Sequence, residues 1–190
     1  MAPHGKHTTC ALLVSILLFV SPAAAAAQTA AITYITVSNT YDDLLVYASL
    51  RGAFTEKIKQ AILSGTTTSI VFIILLKQGR FLWFDDKIAD INVVHSIAYD
   101  KVKKEFVVRR SWRNSEPEIT PSFEEAQVLV SRIESLKIIP LSRIAKGSQY
   151  QLQIKAEASR KTLPLGLNTV LFFMPFWDVA TDWYIIDFTY

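Results

Sequence analysis

Hydrophobic and polar positions alternate along most of this chain, and the period of that alternation predicts where strands and helices fall. Residues 32–37 read as a first strand, and Leu44, Val46, Ala48 and Leu50 then share one face of a second. Phe54, Ile58, Ala61 and Ile62 recur at helical spacing, and Ser64-Gly65 supplies a stop. Residues 70–76 (IVFIILL) are apolar without interruption, too short to span a membrane and suited to a strand buried on both faces. Residues 77–80 (KQGR) predict a hairpin turn into residues 81–84.

Further on, Ile91, Val93, His95, Ile97 and Tyr99 share one phase of a long strand, with Asp90, Asn92 and Ser96 on its other face. A turn through residues 100–104 returns the chain along Phe106, Val108 and Trp112, and residues 114–121, with two prolines, read as a loop. Ser122 and Glu125 match a capping box, and Phe123, Ala126, Leu129, Val130 and Ile133 form the apolar stripe of a helix to about Lys137. Residues 150–158 (YQLQIKAEA) alternate throughout, placing Tyr150, Leu152, Ile154, Ala156 and Ala158 inward. Residues 163–166 (LPLG) break the pattern, residues 171–177 (LFFMPFW) are an aromatic stretch, and residues 183–190 close the chain as a strand. Successive strands with two amphipathic helices among them predict a single α+β domain built on an antiparallel sheet or a two-layer sheet.

The first 27 residues change the composition. Lys6 precedes an apolar run over residues 11–20, and Ser21-Pro22 leads into five alanines, the order of a secretory signal peptide with cleavage expected after Ala27. The apolar run falls short of the roughly 20 residues a spanning helix needs. Cys10 precedes that run, so it is not the lipidated cysteine of a lipoprotein leader, and no lipid anchor is expected. The 163 residues after the leader carry 19 Lys+Arg against 17 Asp+Glu, and they hold no cysteine and one histidine, His95. A disulfide, a structural zinc site of Cys and His, and a cysteine nucleophile are thereby excluded from that stretch. The near-neutral balance and the export route argue against nucleic acid as a partner.

Four features remain as candidate chemistry. Asp85-Asp86 beside Trp83-Phe84 is an enzyme-like pairing, because glycosidases hold two carboxylates against a sugar. Adjacent strand residues face opposite ways, so a second acid from Asp178, Asp182 or Asp187 would have to meet one of them. The plainer reading is a pair of turn-capping aspartates. His95 lies in phase with apolar neighbours and reads as a hydrogen-bonded core histidine, with no located nucleophile and no G-x-S-x-G. Lys101, Lys103 and Lys104 with Arg109, Arg110 and Arg113 gather positive charge at one hairpin, which suits an anionic membrane surface or an acidic partner. The aromatic mass at residues 171–177 and at Trp183-Tyr184 either closes the core or forms a binding surface, and exposed contiguous side chains would decide for the surface. The terminal alternation of Tyr184, Ile186, Phe188 and Tyr190 also occurs in outer-membrane barrels, but two helices and the lack of evenly spaced strands of about ten residues oppose that architecture.

The segments Phe81-Leu82-Trp83-Phe84-Asp85-Asp86-Lys87, Ser122-Phe123-Glu124-Glu125-Ala126, Leu163-Pro164-Leu165 and Thr181-Asp182-Trp183-Tyr184, following an exported leader, resemble a bacterial family, the domain of unknown function numbered 4390. The resemblance spans nearly all of the chain after the leader and implies an envelope protein with no assigned catalytic residues. The reading that emerges is an exported, periplasmic, non-enzymatic interaction or assembly module. It needs no cofactor or structural metal, and its partner is an envelope protein or an anionic membrane surface. Its candidate contact residues are Lys101, Lys103, Lys104, Arg109, Trp83, Trp177 and Trp183. The alternatives are a hydrolase of envelope glycans using Asp85 or Asp86, and a carrier of an apolar ligand held between sheet layers.

Overall fold

Every described strand pairs antiparallel, in two open sheets. The computed structural model describes residues 29–79, 86–112, 116–160 and 179–190. Strands β1 (Ala31–Asn39), β2 (Asp43–Arg51) and β7 (Arg132–Pro140) form a three-stranded sheet with β2 in the middle. The larger sheet runs β6 (Glu118–Thr120), β5 (Glu105–Arg110), β4 (Asp86–Asp100), β3 (Thr68–Gln78), β8 (Gln149–Arg160), β9 (Tyr184–Thr189). Helices α1 (Glu56–Leu63) and α2 (Phe123–Ser131) pack with the three-stranded sheet against one face of the six-stranded sheet. This is a single α+β domain of antiparallel sheets with two helices, as the pattern predicts.

The alternating phases do what the sequence implies. Leu44, Val46, Ala48 and Leu50 of β2, Ile70, Phe72, Ile74 and Leu76 of β3, and Tyr150, Leu152, Ile154, Ala156 and Ala158 of β8 are all buried in one apolar cluster between the layers. Helix α1 starts at Thr55, whose hydroxyl accepts from the Ile58 N–H. It stops where Gly65, at φ +93°, donates its N–H to the Ile62 carbonyl at 2.8 Å, a left-handed closure that glycine tolerates best.

Four expectations need correction. Helix α2 ends at Ser131 rather than near Lys137, and residues 132–140 continue as β7. Ser135 takes the left-handed conformation, φ +56°, where the pairing of β2 with β7 shifts register. This irregularity turns both Ile133 and Leu136 inward, and their spacing of three imitates a helix. The loop after Trp112 contains the short strand β6, which pairs with β5. Lys77 and Gln78 belong to β3 and pair with Lys87 and Asp86, so the hairpin begins later than predicted. Finally, β3 is fully buried on one face only: Val71, Ile73 and Leu75 on the other are half-buried.

Candidate functional site

The basic hairpin is a well-formed turn. Asp100 accepts the N–H groups of Val102 and Lys103 on one carboxylate oxygen at 2.9 and 3.0 Å, and these bonds hold its pKa below the usual carboxylate value. Lys104 completes the turn at φ +59°. Lys101, Val102, Lys103 and Lys104 all stand exposed. The arginines do not join them. Arg109 is exposed on the outer face of β5, four residues beyond Glu105, about 13 Å along the strand. Arg110 points the other way, and Arg113 lies outside the described residues.

Arg110 is a buried cation between two partly exposed glutamates. Its side chain is 3% exposed, it pairs with Glu118 of β6, and it approaches Glu134 of β7 at 3.7 Å, so it joins the edges of the two sheets. Its guanidinium lies 5.9 Å from the Trp112 ring. Across the β4–β5 pairing stands His95, fully buried. The Val130 carbonyl, which can only accept, lies 2.8 Å from its Nδ1. Trp112 donates its indole N–H to Nε2, also at 2.8 Å. Nδ1 therefore carries the proton and Nε2 does not. Burial pushes the pKa down to about 4, aided by the Arg110 charge and opposed by the Val130 bond and by Glu118. Both ring nitrogens are engaged, which fits a structural histidine and leaves no free base.

Among the described residues, the candidate carboxylates do not converge. Asp86 pairs with Gln78, which pairs with Tyr150, which pairs with Phe188, whereas Asp187 stands in the next row, opposite Gln151. Adjacent rows face opposite sides of a sheet, and three strand spacings amount to about 14 Å, beyond the roughly 5–9.5 Å of glycosidase pairs. Asp182 follows Thr181, whose N–H reaches the Ala156 carbonyl six residues up β8, a rise of about 20 Å. Asp85 and Asp178 lie outside the described residues. No group of three or more His, Cys, Asp or Glu among the described residues is arranged to hold a metal ion.

The C-terminal margin leaves three large apolar side chains exposed one after another along the chain. Trp183, Tyr184 and Ile185 are 42%, 45% and 49% exposed in succession. Trp183 precedes β9, the last strand of the large sheet, and Tyr184 and Ile185 open it; among the described residues no strand pairs with its other edge. Alternation continues behind them: Phe188 stacks on buried Tyr150 with ring centroids 5.7 Å apart, while Asp187 and Thr189 are exposed. Trp83, Trp177 and the stretches 81–84 and 171–177 lie outside the described residues. Sequence reasoning placed Trp183 here but missed Ile185, because one isoleucine in an alternating strand gives no sign that its sheet face is open.

A two-layer antiparallel α+β protein with an open edge strand and no converging catalytic groups among the described residues is thus the class these observations define. The chain belongs to the family "Domain of unknown function (DUF4390)", which it matches over residues 27–187. No curated protein and no solved structure matches it.

Proposed function

We propose that this protein is an exported, non-enzymatic interaction module of the bacterial envelope that docks a partner protein along β9. The observation that carries the reading is the exposure of Trp183, Tyr184 and Ile185 at the start of β9, whose outer edge no described strand pairs. A free strand edge offers unpaired backbone N–H and C=O groups to another chain, and exposed aromatic and aliphatic side chains beside it supply apolar area. Export rests on the leader pattern of residues 1–27, and the family match begins at residue 27, where that leader ends. Among the described residues no helix is long and apolar enough to cross a membrane. The fixed, exposed lysine turn at residues 101–104 supports a secondary contact with an anionic membrane surface.

The test places a photo-crosslinking residue at position 184 in the native envelope, with position 102 as the comparison. A discrete adduct from position 184 that disappears with Ile185→Lys supports edge docking. Adducts confined to position 102, or none from either position, would overturn it. Intact mass of the protein recovered from the periplasm is expected to begin at Gln28; a chain retaining residues 1–27 in the membrane fraction would overturn the export reading.

A further inference from the structure

The outer face of β8 carries three amides in a row. Gln149, Gln151 and Gln153 alternate with the buried Tyr150 and Leu152, and β9 sets Thr189 opposite Gln149 and Asp187 opposite Gln151. On the other side β3 brings Lys77 opposite Gln151, and the Gly79 N–H donates to the Gln149 carbonyl at 2.9 Å. A cleft of about 460 Å³ opens here, lined by Gly79, Gln149, Gln151, Asp187 and Thr189 among others. Gly79 lies against Gln149: a Cβ at position 79 would stand 3.6 Å from the Gln149 Cβ, an ordinary contact.

The amides are oriented in sequence. Gln153 donates from Nε2 to the Gln151 side-chain oxygen at 2.6 Å, and Gln151 donates from Nε2 to Asp187 Oδ1 at 2.9 Å. That chain must end on an acceptor, and it ends on a carboxylate whose second oxygen it does not use. No hydrogen bond to another described residue engages the Gln149 amide or the Thr189 hydroxyl, which stand directly opposite each other. The cleft lining thus offers donors and acceptors in alternation, with Asp187 its one carboxylate among the described residues.

We propose that this cleft binds a neutral oligosaccharide through its hydroxyl groups. Each sugar hydroxyl both donates and accepts, which matches a lining of amides, a hydroxyl and a carboxylate. An anionic ligand would require cations in the lining, and among the described residues the lining holds none. The volume falls in the range of small-ligand sites, roughly 300–1,000 Å³. Ile185 continues the same outward row along β9, with exposed Trp183 at its end, and gives the apolar faces of further sugar units a surface to lie on. The site uses the outer faces of β8 and β9 and not the free backbone edge, so it stands without the edge-docking reading.

The experiment is a titration of the purified protein, followed by backbone amide NMR, with maltotriose, cellotriose and tri-N-acetylchitotriose as separate probes at millimolar concentration. Saturable shifts at Gln149, Gln151, Asp187 and Thr189 with at least one probe are expected. Gly79→Leu, which fills the cleft, and Asp187→Asn, which removes the charged acceptor, are each expected to weaken that binding about tenfold while leaving the thermal midpoint in place. Weakening by either variant that remains folded supports the site. No saturable shift with any of the three probes, or binding unchanged in the folded variants, would overturn it.

Discussion

Trp112 and His95 are joined by a bond that works in only one protonation state: the indole N–H donates at 2.8 Å to an imidazole nitrogen that must be bare to accept it. Protonating His95 breaks this bond and places a charge in the core near Arg110. Its folded pKa of about 4 lies below the ordinary 6.5, so the unfolded chain binds one more proton between those values. Stability from this group is present above about pH 6.5 and is lost as the pH falls toward 4, by about 3 kcal/mol in total. Urea midpoints of the wild type and His95→Phe across that window check it. The wild type is expected to fall more steeply, whereas the variant starts lower at pH 7 by roughly 1–3 kcal/mol because the Trp112 N–H and the Val130 carbonyl lose their partner.

Arg110 gives a second, asymmetric prediction. Its Nε and one terminal nitrogen make no hydrogen bond to another described residue, and Glu118 and Glu134 are the carboxylates that compensate the guanidinium among the described residues. Glu118→Ala leaves a buried cation with one distant carboxylate and is expected to cost about 3 kcal/mol. Arg110→Met removes the charge itself and is expected to cost less, with equilibrium denaturation as the measurement. A larger loss for Arg110→Met would show that the ion cluster contributes more than its desolvation costs.

Sequence pattern carried the strands well where one face is wet, as in residues 150–158, because alternation there is a direct image of the pleat. It failed at Ser135, where one left-handed residue shifts the phase and makes strand β7 look like the end of a helix. It also could not assign strands to sheets: nothing local separates β7, which pairs with β2, from β8, which pairs with β3. The structural role of His95 was legible from its apolar phase, but Arg110 was not, since a charge at an inward position reads as surface until its glutamates are found. The cleft at Gln149 was invisible for a related reason. It depends on a cross-strand row joining residues 79, 149 and 189, and each of those looks ordinary in its own sequence.

The two helix starts differ in a way that mutation can resolve. Ser122 accepts from the Glu125 N–H at 3.2 Å, yet the Glu125 carboxylate takes the Thr120 hydroxyl instead of reaching back, and the Ser122 N–H is met by Thr120 at 3.1 Å. Thr120 thus takes over half of the capping box. Ser122→Ala is expected to lower stability by about 1 kcal/mol, and so is Thr55→Ala at α1. Thr120→Ala is expected to cost at least as much as Ser122→Ala, because Thr120 is buried and serves two partners. Thermal unfolding of the three variants checks the order.

The lysine turn depends on one carboxylate. Asp100 accepts two backbone N–H groups, and its pKa is lowered chiefly by those bonds, first from Lys103 and then from Val102. The bonds are therefore present above the ordinary Asp value and lost as the pH falls through the lowered one. Amide hydrogen exchange at Val102 and Lys103 is expected to quicken in Asp100→Ala relative to wild type at neutral pH, with exchange in β3 unchanged. Equal protection in the variant would mean that the strand pairing alone sets the turn.

Strand β9 carries the sharpest contrast, since its two faces meet different surroundings. Ile185 is about half exposed, so Ile185→Lys is expected to change stability by no more than about 0.5 kcal/mol. Phe188, three residues on and in the opposite phase, stacks on Tyr150 at 5.7 Å, and Phe188→Lys would set an ammonium against that ring in a half-buried position. A loss of about 2 kcal/mol or more is expected there. The same pair separates stability from docking: Ile185→Lys is expected to stay folded while removing the crosslinked adduct from position 184, because a lysine on an open edge opposes pairing with another strand. If Ile185→Lys unfolded the protein instead, the β9 margin would be part of the core, and its exposed residues would no longer mark a surface for a partner.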